Sequence, residues 1–116
     1  MTIQYNMAKT PPMFLTFAVG EVSVKVTQTL DVDGHEYSLC GLIYFGSFHF
    51  VSRIVDLNGM IWYNDGIQTG SVCLEEGNIE NMSSKYLRRI KEKDLSTVVY
   101  VKLWNIYLSV GGWHCI

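Results

Sequence analysis

His49 lies between Phe48 and Phe50, and an Asn64-Asp65 pair follows Trp62-Tyr63 further along the chain. An imidazole can act as a general base, and an amide or carboxylate on its second nitrogen can hold the ring in the productive orientation. A cysteine hydrolase needs these groups opposite its nucleophile: the ring takes the thiol proton while Asn or Asp steadies the ring. The other histidines lack such neighbours. His35 falls in a polar turn and His114 near the C-terminus, neither with partners at zinc-like spacing, so both read as surface residues. No metal and no cofactor is expected.

Cys40, Cys73 and Cys115 form an odd set without metal-like or disulfide-like spacing, which points to a reducing compartment, cytoplasmic or nuclear. The Asn81-Met82-Ser83 sequon is then a coincidence. None of the three thiols is expected to be a nucleophile. Cys40 lies inside an apolar run that would raise its pKa, Cys73 is near Glu75 and Glu76, which disfavour a thiolate, and Cys115 is one residue from the C-terminus.

Whether Asn64 or Asp65 meets His49 depends on the hairpin between them. Asp56-Leu57-Asn58-Gly59 is its turn signal. A two-residue turn at Asn58-Gly59 pairs Asn64 with Arg53, leaving Asn64 on the order of 13 Å along the strand from His49. A three-residue loop with Gly59 in a bulge pairs Asp65 with Val51, a diagonal neighbour of His49 at roughly 7–8 Å between backbones. Side chains can close that gap, so hairpin geometry favours Asp65.

The elements around this hairpin are mostly strands. Met13 to Val19 follows Pro11-Pro12. Val22, Val24 and Val26 alternate with polar residues, and the segment around Asp33-Gly34 is a turn. Tyr37 to Phe45 reads as a buried central strand, Phe48 to Val55 and Met60 to Tyr63 as the hairpin, and Thr97 to Trp104 as the last strand. Residues 64–80 read as a loop. One helix is expected where Met82, Tyr86 and Ile90 recur, with Lys85, Arg88, Arg89, Lys91 and Lys93 on its solvated face. The fold class is α+β: a twisted antiparallel sheet with one short helix. Residues 1–10 form a polar leader, 11–103 one domain, and 104–116 an apolar tail.

Composition sets outer bounds. With 116 residues, 48% hydrophobic and 17% charged, the chain is a single globular domain. A net charge of −2 offers no global field for nucleic acid, and no apolar run reaches membrane-spanning length, so neither nucleic acid nor membrane is an expected partner.

Tyr37-Ser38-Leu39-Cys40-Gly41-Leu42-Ile43, then Phe48-His49-Phe50, then Trp62-Tyr63-Asn64-Asp65 resemble the histidine and Asp/Asn boxes of ubiquitin-specific proteases. That family has a papain-like fold. Pro12-Met13-Phe14-Leu15 resembles an earlier strand of that family and Thr97 to Lys102 its closing strand, so the likeness runs in order over residues 11–102. It implies His49 as general base, Asn64 as the third triad member and Asp65 as the acidic residue that follows it. Phe48 stands where the family has glycine and Phe50 where it has tyrosine. The family's cysteine box and its Cys-x-x-Cys finger pairs have no counterpart here.

The resemblance implies half of a papain-like deubiquitinase, cleaving after the C-terminus of ubiquitin or a ubiquitin-like protein and inactive without a cysteine-bearing segment or partner chain. The alternatives are a non-catalytic ubiquitin-binding module and a structural half-domain that needs a partner. At this stage Asn64 and Asp65 both remain candidates.

Overall fold

A computed structural model of the protein describes residues 2–3, 12–19, 26–67 and 70–102. The chain forms β1 (Thr2–Ile3), β2 (Phe14–Ala18), β3 (Thr29–Val32), β4 (His35–Gly46), β5 (His49–Val55), β6 (Met60–Asn64) and β7 (Leu74–Asn78). A 3-10 turn (Ile79–Asn81), a one-turn helix α1 (Ser84–Leu87), β8 (Arg89–Ile90) and β9 (Lys93–Lys102) follow. Apart from the parallel pairing of β1 with β3, every strand pair in the sheet is antiparallel. Most of the expected strand at 22–26, nearly all of the polar leader, and the tail at 104–116 lie outside the described residues.

The long strand β4 organises the sheet. It pairs with β3 and then β5 along one edge and with β9 along the other, while β2 and β8 flank β9 and β6–β7 continue beyond β5. A register shift between Leu39 and Gly41 places a bulge at Cys40. One extra residue reverses the parity of the strand. Tyr37 and Leu39 before the bulge, and Leu42 and Tyr44 after it, are therefore all buried. Asp33 and Gly34, both left-handed (φ 53° and 82°), make the tight β3–β4 turn, with β3 a strand that the alternation did not reveal.

The core contains three fully buried tyrosines, and each hydroxyl finds a carbonyl: Tyr37 donates to Pro12 O (2.6 Å), Tyr44 to Leu87 O (2.6 Å) and Tyr100 to Thr27 O (2.7 Å). These bonds fasten loops and α1 to the sheet, since a buried hydroxyl without a partner would be costly. Arg53 is buried against the same layer. Its guanidinium donates to both carboxylate oxygens of Glu76 (2.8 and 3.2 Å), to Tyr44 Oη and to Tyr86 O (both 3.0 Å), and lies over the Tyr86 ring at 4.3 Å.

Two elements differ from the sequence reading. The expected helix reaching Ile90 is a single turn. Ser83 caps it by accepting from Tyr86 N, but the carbonyls of Tyr86, Leu87 and Arg88 are taken by Arg53, Tyr44 and Leu95 N. Those acceptors are no longer available to later amides of a longer helix, and Ile90 instead pairs with Lys93. The expected loop at 64–80 contains β7. It pairs with β6 across a bulge between Ile61 and Trp62, and the non-local Arg53–Glu76 pair tethers it. Among the described residues no helix is long and apolar enough to cross a membrane.

Candidate active site

The β5–β6 loop determines what His49 meets. Asp56 Oδ1 accepts from Asn58 N (2.9 Å) and Met60 N (3.0 Å), and Asp56 Oδ2 from Trp62 Nε1 (3.0 Å). Asp56 N also donates to Met60 O, and Gly59 adopts φ 81°. Leu57-Asn58-Gly59 is thus a three-residue loop with the glycine left-handed, as a bulged hairpin requires. Val55 pairs with Ile61 and Ser52 with Asn64, the bulged register rather than the two-residue one.

In that register Asp65 projects to the face of His49. His49 Nε2 lies 2.7 Å from Asp65 Oδ1. The same oxygen accepts from Ile67 N at 3.0 Å, a turn that Asp-Gly readily forms, and Tyr63 Oη donates to Asp65 Oδ2 over 3.5 Å. The Asp65 side chain is only 6% exposed and that of His49 24%, so the contact is largely shielded from water. Because an ionised carboxylate only accepts, Nε2 carries the proton, and in the neutral ring Nδ1 keeps its lone pair. Among the described residues Nδ1 has no hydrogen-bond partner. A ring in this state can accept a proton at Nδ1.

Asn64 sits elsewhere. Paired with Ser52, it lies on the opposite face of the hairpin, where its Nδ2 donates to Gly70 O (3.0 Å) and Val72 O (3.1 Å). The third-member role that the family resemblance implied for Asn64 therefore has no geometric basis here. Asn64 pins the loop that follows the site, whereas Asp65 holds the ring.

Beside the pair is a cavity of about 270 Å³, bounded on one side by His49, Tyr63, Asp65 and Ile67 and on the other by the β8–β9 turn from Ile90 to Lys93. The sequence places Lys91 and Lys93 on a solvated helix face. Their place in the wall follows from the hairpin that replaces the helix, for which the local sequence carries no marker. Tyr63 likewise carries no sequence signal for this wall beyond its aromatic pair with Trp62.

The described cysteines are poorly suited to act as nucleophiles. Cys40 is a free thiol buried in β4, and desolvation pushes its pKa up to about 11. It lies on the order of 20 Å along β4 from the Gly46–His49 pair. Cys73 is disulfide-bonded, which departs from the expectation that no cysteine pairs. Cys115 lies outside the described residues, as does His114. No cluster of three or more His, Cys, Asp or Glu side chains that could hold a metal occurs among the described residues. Comparison of the chain with protein-family models, with curated proteins and with solved structures finds no match in any of the three.

Proposed function

We propose that the chain supplies the general-base half of a thiol-dependent hydrolase of the ubiquitin-specific protease type, one wall of a papain-like cleft. The observation that carries this reading is the buried Asp65 carboxylate on His49 Nε2, which leaves Nδ1 as the basic nitrogen beside a cavity. The sequence resemblance supplies the substrate class, the isopeptide bond after the C-terminus of ubiquitin or a ubiquitin-like protein.

In the proposed reaction a cysteine from outside the described residues gives its thiol proton to His49 Nδ1. The sulfur attacks the isopeptide carbonyl, a C–S bond forms, and the C–N bond breaks as Nδ1–H protonates the departing amine. Water, deprotonated by the same nitrogen, then hydrolyses the thioester. Asp65 holds the ring orientation and stabilises the imidazolium formed in each half-reaction.

The test combines the protein with ubiquitin carrying a thiol-reactive C-terminal group. The expected result is no adduct on Cys40, contact shifts at the His49 cavity, and an adduct only when a cysteine-bearing segment is supplied. That adduct should be lost in His49→Ala. An adduct insensitive to His49→Ala would overturn the reading. So would the absence of any contact with ubiquitin or a ubiquitin-like protein at the cavity.

A second reading, a non-catalytic binding module, draws on the exposed aromatics at the β4–β5 end. Phe48 is 100% exposed and Phe50 58%, and Phe50 packs against Phe45 with ring centroids 4.4 Å apart. Ubiquitin binding that maps to these rings and leaves the His49 cavity unchanged would favour it.

A further inference from the structure

Unusual backbone conformations cluster beside His49. Four non-glycine residues among those described have positive φ: Asp33, in an ordinary Asp-Gly turn, and Ser47 (52°), Phe48 (57°) and Lys91 (51°). Ser47 and Phe48 form the β4–β5 turn immediately before His49, and Lys91 opens the β8–β9 turn across from it. A bulky aromatic in the left-handed region is rare, and such conformations persist only where surrounding structure holds them.

The two turns touch. Ser47 Oγ donates to Glu92 Oε2 at 3.1 Å. Close by, Gly46 faces the backbone of the opposite turn so closely that an added Cβ would lie 2.6 Å from Glu92 O and 2.9 Å from Lys93 Cα. Gly46 is also the direct cross-strand partner of His49. Any side chain at this position would force the histidine hairpin and the β8–β9 turn apart, because the obstacles are backbone atoms that cannot rotate away.

We propose that Gly46 is a positioning residue for the candidate site: its missing side chain sets the separation between His49 and the β8–β9 wall, and Ser47–Glu92 latches the two turns. The proposal rests on the reading of His49 as a general base. Its physical content is that the spacing of the two turns limits the access of water to the His49–Asp65 contact, whose carboxylate is 6% exposed. Gly41, on the same strand, makes the contrast: a Cβ there would meet Val99 Cβ at an ordinary 3.5 Å.

The experiment follows solvent exchange of the His49 imidazole N–H by proton NMR in the native protein and in three variants, with thermal unfolding recorded alongside. Gly46→Ala is expected to speed exchange by about tenfold or more, as the turns are pushed apart and water reaches the contact more often. Ser47→Ala, which removes only the latch, is expected to speed it about fivefold, the equivalent of one hydrogen bond. Gly41→Ala should stay within about twofold of the native protein, as distant substitutions do. A folded Gly46→Ala protein with native exchange overturns the proposal, as does Gly41→Ala with an equal effect. If Gly46→Ala does not fold, native exchange in Ser47→Ala overturns it. The readout needs no turnover, so a protein inert toward ubiquitin but with these exchange rates would count against the catalytic reading alone.

Discussion

His49 opens β5 and Asp65 directly follows the neighbouring strand β6, and one register joins them: Nε2 and Oδ1 are 2.7 Å apart because the loop Leu57 to Gly59 contains three residues and not two. The carboxylate is buried and its shared oxygen also accepts a backbone amide, so it is held before the ring meets it. Such preorganisation makes an imidazole a directed base rather than a freely rotating one.

Asp65→Asn and Asn64→Ala should separate chemistry from structure. Asp65→Asn removes the negative charge that fixes Nε2–H and offers an amide N–H2 that can reverse the ring tautomer, so thiol-probe reactivity in the presence of a cysteine-bearing segment is expected to fall by about 10⁴-fold. Asn64→Ala removes two bonds to the Gly70 and Val72 carbonyls and is expected to cost about 1–3 kcal/mol in urea unfolding while the His49 ring signals stay native. Loss of the ring signature in Asn64→Ala would return Asn64 to the site.

Asp56→Ala tests the register. Asp56 accepts from two loop amides and the Trp62 indole, so its loss is expected to destabilise the hairpin by about 2–4 kcal/mol and to loosen the His49–Asp65 contact. Hydrogen exchange at the β5–β6 amides reads the first effect and imidazole NMR the second.

Arg53→Met should be among the most damaging substitutions. The Arg53 side chain is 4% exposed and that of its partner Glu76 19%, and truncating one member strands the other. A loss of about 3–5 kcal/mol is expected in denaturant unfolding. Arg53→Met combined with Glu76→Gln should lose less than the sum of the two single changes, as expected for a coupled pair.

Alkaline pH should unfold the protein from the tyrosine layer outward. Burial holds the Tyr44 hydroxyl up to about 12 and raises Tyr37 and Tyr100 above the ordinary value of 10.0. A pKa raised in the folded state favours folding while the group is protonated. The contribution is therefore complete below pH 10, shrinks as pH rises above that value, and is gone once pH passes the folded pKa. A combined titration of tyrosinate absorbance and circular dichroism should show late ionisation coinciding with loss of structure. Early, independent ionisation of all tyrosines would contradict it.

Cys40 should be inert in the folded protein. With a thiol pKa of about 11, only about one molecule in 10⁴ is thiolate at pH 7. Iodoacetamide is expected to label Cys40 at neutral pH only after denaturant is added, as read by mass spectrometry of the peptide.

The residues of the candidate site were legible in the sequence because their chemistry is local. His49 between aromatics and Asp65 before a glycine announce themselves, and Asp56 with Gly59 marks a hairpin whose bulged register already favoured Asp65. The strands carrying them were legible from apolar runs, since burial on a sheet leaves its period in the chain. The sequence predicts a longer helix because Tyr86, Leu87 and Ile90 have helical spacing, whereas Tyr44, Arg53 and Leu95, remote in sequence, take the carbonyls that such a helix would need. β7 was missed because Glu75, Glu76 and Gly77 carry no strand signal, and the pairing that holds them is with Arg53 and β6. Only the tertiary structure decided that Asn64 faces away, that Nδ1 is the nitrogen left unpartnered among the described residues, and that Gly46 admits the β8–β9 turn. Each depends on which backbone meets which across the sheet, a relation between distant residues that no local pattern encodes.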